Sequence, residues 1–370
     1  MTPPARFLFV VHPPEERDLQ RIQHLKWTGI LPKGWAERLV GSLGPFPLFK
    51  MTGIETPQGN RCEGWVMGLL STPRLMMNRP PEATYRLLVK AAEWGAKRGA
   101  TVMGLGAFTS VVGDAGITVA ERSPIPVTTG NALTVGATLA SLEALASLDK
   151  PLADERVAIV GATGAIGSAV ARILADRTRG VLLLGKDAQK TEALAQSFPK
   201  GTVVDAGTDP RALLPKVKRV VGVTSSGGTA IPVDALAPGT AVLDVALPPD
   251  VSRAQARERP DCLFLEAGEI RLPGKPEFSY DWPLPKEIAY ACEAETILIS
   301  LTGRTDLCTL GREISVRGVE SLWNLALDNG FSWAGFRSFG KDISRDEVKE
   351  VLKGSLPRKG DGRSIKKDSW

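Results

Sequence analysis

The chain has 370 residues, 43% of them apolar and 24% charged, with a net charge of +5. This is the composition of a globular protein of two or three domains and excludes a fibrous or low-complexity chain. Residues 341–370 hold nine Lys/Arg against six Asp/Glu, so +3 of the excess lies in the tail. The remainder offers no basic stripe of the kind that nucleic-acid binding needs.

In chain order, Phe7–Val11 reads as a strand; it is too short for a secretory signal and is stopped by Pro13-Pro14. Trp65–Leu70 is a second strand, Pro81–Lys97 a helix opened by Pro81 and closed by Gly99, and Thr101–Leu105 a buried strand followed by the loop Gly106–Val111. A long apolar helix runs over Ala132–Leu148, with Asn131 as its N-cap. Strands follow at Val157–Val160, Val181–Leu184, Thr202–Val204, Arg219–Val223, Ala241–Val245 and Cys262–Leu265, with helices after Gly167 and over Ala188–Ser197. Leu272–Pro285 is a Pro- and aromatic-rich loop, Lys286–Thr302 a helix ended by Gly303, and Val316–Asp328 another ended by Gly330. The last fifteen or so residues are expected to be disordered.

Alternating strands and helices predict an α/β fold with a Rossmann-type doubly wound parallel sheet. The expected divisions are an N-terminal α/β domain with its linking helix over 1–148, a nucleotide domain over 149–272, a C-terminal helical segment over 273–340 and a basic, partly disordered tail over 341–370. No stretch approaches the roughly 20 apolar residues of a membrane helix. The expectation is therefore a cytoplasmic protein with no integral membrane segment. Its four scattered cysteines then read as reduced thiols, and two histidines exclude a zinc site built on several.

The strongest local signal is Gly161-Ala-Thr-Gly164-Ala-Ile-Gly167 between an apolar strand and an alanine-rich helix. Gly161 permits a tight turn, Gly164 close approach of a pyrophosphate, and Gly167 close helix–strand packing. Thr163, Ala165 and Ile166 complete the turn, whose helix N-terminus offers N–H groups to an anion. At the tip of the next strand Lys186 suits the 2′-phosphate of NADPH, although Asp187 beside it is the residue type that suits NAD. Thr224 and Ser225, with Ser226 and Gly227, follow a strand whose loop runs beside the cofactor.

Cys292 lies in Lys286–Ser300, where Ile288, Cys292, Thr296 and Ile299 share one face of the expected helix. From the residues alone it is a small core thiol: no cation adjoins it, and Glu293 and Glu295 would raise its pKa.

Read together, Phe7–His12, Gly104–Val111, Thr128–Asn131, Gly161–Val170, Ala291–Leu298 and Ile314–Val316 change that reading. In order and spacing the chain resembles the long-chain acyl-[acyl-carrier-protein] reductases of cyanobacteria and their bacterial relatives, over roughly nine-tenths of its length. The resemblance implies that Cys292 accepts the acyl group. A long-chain acyl thioester, carried by acyl-carrier protein or CoA, would pass to the thiol and be reduced by NADPH to a fatty aldehyde. An aldehyde-consuming enzyme would follow. Candidate oxyanion donors are Thr109, Ser110, Thr129 and Asn131, and His12 or His24 is a candidate proton donor. Two features depart from the family: Val245-Ala246 stands where it has Gly-Gly, and the tail beyond Lys341 is additional. The competing reading is an NADP-dependent dehydrogenase of a small polyol or acid without covalent catalysis, and a third is a non-catalytic NADP sensor.

Overall fold

A computed structural model describes residues 3–32, 34–225 and 230–354. Two six-stranded sheets organise it. The first contains β1 (Ala5–Val11), β2 (Phe46–Glu55), β3 (Arg61–Gly68), β4 (Val102–Leu105) and β5 (Val127–Thr128). β2 and β3 form an antiparallel hairpin, while β3, β1, β4 and β5 run parallel. Alternate residues of β1 face opposite layers. Leu8 and Val10 pack towards the helix Pro81–Ala96, and Phe7 and Phe9 face the central core.

The second sheet contains β6 (Arg156–Val160), β7 (Gly180–Leu184), β8 (Val204–Gly207), β9 (Arg219–Gly222), β10 (Ala241–Asp244) and β11 (Leu263–Glu266). Their spatial order is 11-10-9-6-7-8, all parallel. This is the doubly wound dinucleotide-fold order, which reverses at β6. Val157–Val160 and Val181–Leu184 are buried throughout, as strands covered on both faces must be.

Three further short strands, β12 (Glu269–Arg271), β13 (Gly274–Glu277) and β14 (Ile288–Tyr290), return the chain to the first sheet. β13 pairs with β2 at its edge, and β14 pairs with β12. The expected helix from Lys286 therefore starts only at Ala291. Ile288 pairs with Arg271 in a strand rather than sharing a helical face with Cys292.

The bridging helix Asn131–Ala146 lies between the sheets, against the cysteine helix Ala291–Thr302, Val316–Asp328 and the Rossmann helix Ala165–Ala175. It is apolar almost all round because it is buried almost all round. Its interior hydroxyls, Thr134, Thr138 and Ser141, donate to carbonyls four residues back at 2.9, 2.8 and 2.9 Å. Asn131 is its first helical residue and not its cap; Gly130, at φ +72°, takes that place.

The chain beyond Lys341 continues folded through the helix Arg345–Leu352, whose Val348, Val351 and Leu352 are buried near β11. The segment expected to be disordered lies outside the described residues. Among the described residues no helix is long and apolar enough to cross a membrane.

Candidate active site

At the end of β6, Gly161 adopts φ +94°, and a Cβ there would lie 2.8 Å from the Val223 carbonyl oxygen. A Cβ on Gly167 would lie 2.3 Å from the Gly161 carbonyl oxygen, so helix and turn meet backbone to backbone. Gly164, the N-cap of the Rossmann helix, is open: a Cβ there would meet only the Gly161 oxygen at 3.3 Å. Thr163, Gly164, Ala165 and Ile166 line a cavity, and the first N–H groups of the helix have no partner within it. This cradle fits a pyrophosphate.

Lys186 lines the same cavity. Asp187 caps the helix Ala188–Gln196, accepting the Lys190 N–H at 3.1 Å, which gives that carboxylate a structural task. Thr224 and Ser225 also line the cavity. Thr224 is tied to the loop after β10: its N–H donates to Asp250 at 3.1 Å and its hydroxyl donates to the same carboxylate. Asp244 accepts the N–H groups of Ala246 and Val251 at 3.1 and 3.0 Å. Burial and the neighbouring Asp250 push its carboxyl up to about 8. Val245 and Ala246 face the cavity between these two acids. Ser226 and Gly227 lie outside the described residues, as does the side chain of His24.

Cys292 is the second residue of its helix, half-buried in the cavity wall. The backbone N–H groups of Ala107 and Glu293 lie close enough to its sulfur to favour the thiolate. Ala107 holds φ +48°, a left-handed conformation rare outside glycine. It occurs where the loop after β4 turns towards the thiol. Burial, then the Glu293 carboxyl when ionised, push the thiol up to about 12. The two N–H groups and the helix N-terminus act the other way.

The bridging helix is pressed against this thiol: a Cβ on Gly130 would sit 2.2 Å from the Cys292 Cα. Glu295 fixes that contact. Its buried carboxylate accepts the Leu133 N–H and the Thr309 hydroxyl, each at 2.9 Å, and the Thr128 hydroxyl. Glu293 differs. It is fully buried, and neither of its carboxyl oxygens has a hydrogen-bond partner among the described residues. Burial pushes its acid up to about 8, so it is protonated at neutral pH and does not repel a thiolate.

Both ring nitrogens of His12 are engaged within the fold. Its Nε2 accepts the Phe108 N–H at 3.0 Å and its Nδ1 lies 3.0 Å from the Pro13 carbonyl oxygen, which fixes the Nδ1–H tautomer. Burial pushes its pKa down to about 4, so the ring is neutral and anchors the loop that carries Ala107.

Three of the expected oxyanion donors already use their protons. Thr109 donates to the Gly106 carbonyl at 2.7 Å, Ser110 to that of Ala107 at 2.6 Å, and Thr129 to that of Thr309 at 3.1 Å. The Asn131 side chain has no hydrogen bond to the described residues and lines the cavity beside Cys292, so it remains the available donor.

One cavity, of about 1250 Å³, joins these groups. Its lining takes in the glycine turn, Cys292 and Asn131, and an apolar end formed by Leu48, Leu70, Tyr280 and Trp282, with Asp18 and Asp281 also in the wall. Thr109 and Gly167 are buried behind its wall. Phe49, from behind, packs on Phe278, Tyr280 and Trp282 at ring distances of 4.9, 5.1 and 5.3 Å. Sequence reasoning missed Ala107, Glu293 as a neutral acid, and Trp282. The one available signal was a pair of acids, Glu293 and Glu295, just after the cysteine in a helix that is largely apolar beyond Thr296.

No family model matches the chain. The aminotransferase PigE of Serratia sp. is 31% identical over 364 residues, which are 93% of this chain and 41% of that protein. The chain thus spans about two-fifths of the length of that curated relative. The long-chain acyl-[acyl-carrier-protein] reductase of Synechococcus elongatus is 25% identical over 280 residues, 70% of this chain and 79% of that protein. Among solved structures, L-tryptophan dehydrogenase from Nostoc punctiforme superposes with a TM-score of 0.44 at 13% identity, covering 95% of this chain and 88% of that one. Glutamyl-tRNA reductase from Methanopyrus kandleri gives a TM-score of 0.30 at 18% identity, covering 75% and 57%. These structural likenesses are too distant to bear on function; the fold assignment rests on the strand order itself.

Proposed function

We propose that the protein is a nicotinamide-dependent reductase that converts an acyl thioester to an aldehyde through an acyl group held on Cys292. The observation that carries this reading is the single cavity joining the glycine cradle, the cysteine at its helix N-terminus and an apolar end. The partial match to an acyl-[acyl-carrier-protein] reductase supports the substrate class. The name of the longer relative belongs to a protein of which this chain spans 41%, so its activity is not transferred.

In this reading the glycine turn holds the cofactor pyrophosphate, and Lys186 favours NADPH. The bound cofactor supplies hydride. The Cys292 sulfur, near the Ala107 and Glu293 N–H groups, attacks the thioester carbonyl; the new C–S bond forms to give a tetrahedral oxyanion, whose collapse breaks the carrier C–S bond. The thiol proton leaves with the carrier sulfur. Asn131 donates to the oxyanion formed in this step and again in the reduction. Hydride and one proton then convert the acyl-enzyme to aldehyde and regenerate the Cys292 thiol. The apolar end takes the acyl chain, and acyl-carrier protein or acyl-CoA is the donor.

The test is an assay of the purified protein with long-chain acyl thioesters on CoA and on carrier protein, with NADPH and NADH. Aldehyde formation that disappears in Cys292→Ser supports the reading. Oxidation of small polyols by both wild type and Cys292→Ser would replace it with the non-covalent dehydrogenase.

A further inference from the structure

Residues Glu16–Arg21, Gln23–Ile30 and Trp35–Val40 fold into a small helical cap at one end of the first sheet. Its interior is modest: Leu19, Ala36 and Val40 close over Leu70. Its exterior is unusual. Trp27 is 48% exposed, Ile30 87%, Trp35 55%, and Leu39 and Leu43 53% each. Trp27 and Ile30 are three apart on a 3₁₀ segment, and Trp35 and Leu39 four apart on an α-helix. Each pair therefore stands on one face of its element.

The charges of the cap and its flanks are mixed: residues 15–55 hold six Lys/Arg and five Asp/Glu. The cap's acids are engaged: Glu15 pairs with Arg17 at 3.0 Å, Glu16 accepts the Gly34 and Glu37 N–H groups at 2.6 and 3.3 Å, and Asp18 accepts the Glu15 N–H at 3.0 Å. Glu37 is 3% exposed and is consumed by Thr72 and Arg74. Lys50 pairs with Glu63 at 2.7 Å. Lys26 and Arg38 are exposed, with no ion-pair partner among the described residues. Aromatic and aliphatic tips beside two free cations, with the cap's carboxylates engaged, match the interface of an anionic bilayer.

We propose that this cap docks the protein on an anionic lipid surface, with Trp27, Ile30, Trp35, Leu39 and Leu43 entering the headgroup boundary and Lys26 and Arg38 lying over the phosphates. The tips are exposed side chains on short helices, and such tips can insert into lipid. A folded protein partner would need a flat or concave face with polar groups to pair, since transient interfaces are no more apolar than the rest of a surface. The cap also borders the cavity: Asp18 and Ile22 belong to it, and Leu70 beneath it lines the apolar end. Under the function proposed above, an apolar product released there would meet lipid directly. The docking itself does not depend on that reaction.

The test is flotation of the full chain with vesicles of phosphatidylcholine alone or with roughly a third phosphatidylglycerol, and it needs no turnover. The wild type is expected to float with the anionic vesicles and to be released as salt rises from roughly 0.1 to 0.5 M. Trp27→Ser with Trp35→Ser is expected to weaken binding at least about tenfold. Val203→Ser, a substitution of a 52% exposed apolar residue on the other sheet, is expected to leave it unchanged. Circular dichroism checks that the variants fold. Equal flotation of wild type and the double variant would overturn the proposal. So would failure of the wild type to float, whether because the cap is buried in a dimer that the double variant dissolves or because it binds an acidic carrier protein instead.

Discussion

Gly130→Ala is the substitution whose cost follows most directly from the coordinates. Two independent penalties act at this residue. Its φ of +72° is left-handed, which costs an L-residue about 1–2 kcal/mol. Its Cβ would also lie 2.2 and 2.3 Å from the Cys292 Cα and Cβ, and 2.7 Å from the Cys292 carbonyl oxygen. These are largely backbone atoms, so no rotamer change relieves the overlap, and overpacking of that kind costs about 1–3 kcal/mol. The sum is about 2–5 kcal/mol, unless the bridging and cysteine helices separate. They are locked together by Glu295, whose carboxylate holds the Leu133 N–H and Thr309. Separation would therefore break buried hydrogen bonds instead. Urea unfolding should show the loss as a lower midpoint at unchanged slope. The rate of Cys292 alkylation should change in the same variant, because the helix start that holds the sulfur has moved. A variant within about 0.5 kcal/mol of wild type, with the same alkylation rate, would refute the close approach on which the site is built.

Three further outcomes are expected. Lys186→Asp should weaken NADPH more than NADH in direct binding titrations; an unchanged ratio removes Lys186 from cofactor choice. Glu293 has a folded-state pKa raised to about 8, so its contribution to stability is complete below about pH 4.5 and is lost as pH rises through about 8. Glu293→Gln should gain on wild type in urea midpoint as pH goes from roughly 5 to 9, and a constant difference would mean that the wild-type acid is ionised throughout. His12→Ala should lower aldehyde formation by loosening the loop at Ala107, without moving the pH profile, since His12 is already neutral above about 4. Loss of an inflection near the ordinary histidine pKa of about 6.5 in that variant would make His12 a proton donor after all.

Much of the second sheet was legible because its strands are buried on both faces and its helices punctuate them, so local sequence carries the pattern. The glycine turn was legible because its pattern is local: Gly161 and Gly167 meet within six residues, although Gly161 also abuts Val223 across the sheet. What failed depended on partners distant in the chain. Ile288–Tyr290 has helix-compatible spacing, and only pairing with Glu269–Arg271 makes it a strand. Phe46–Glu55 carries Pro47 and Gly53 and an interrupted register with β3, so its alternation is broken. The task of His12 comes from Phe108, 96 residues away. Glu293 read as an acid that would raise the thiol pKa; its full burial removes that repulsion at neutral pH by keeping it protonated. Thr109, Ser110 and Thr129 were sensible donors by type, but each hydroxyl is spent on a nearby carbonyl, which composition does not reveal.

The central claim is that Cys292 carries the acyl group. Incubating the purified protein with radiolabelled long-chain acyl-CoA, without cofactor, should leave a hydroxylamine-labile label on the peptide containing Cys292, absent in Cys292→Ser. No label on an intact, reduced Cys292, or an undiminished label in Cys292→Ser, would contradict it.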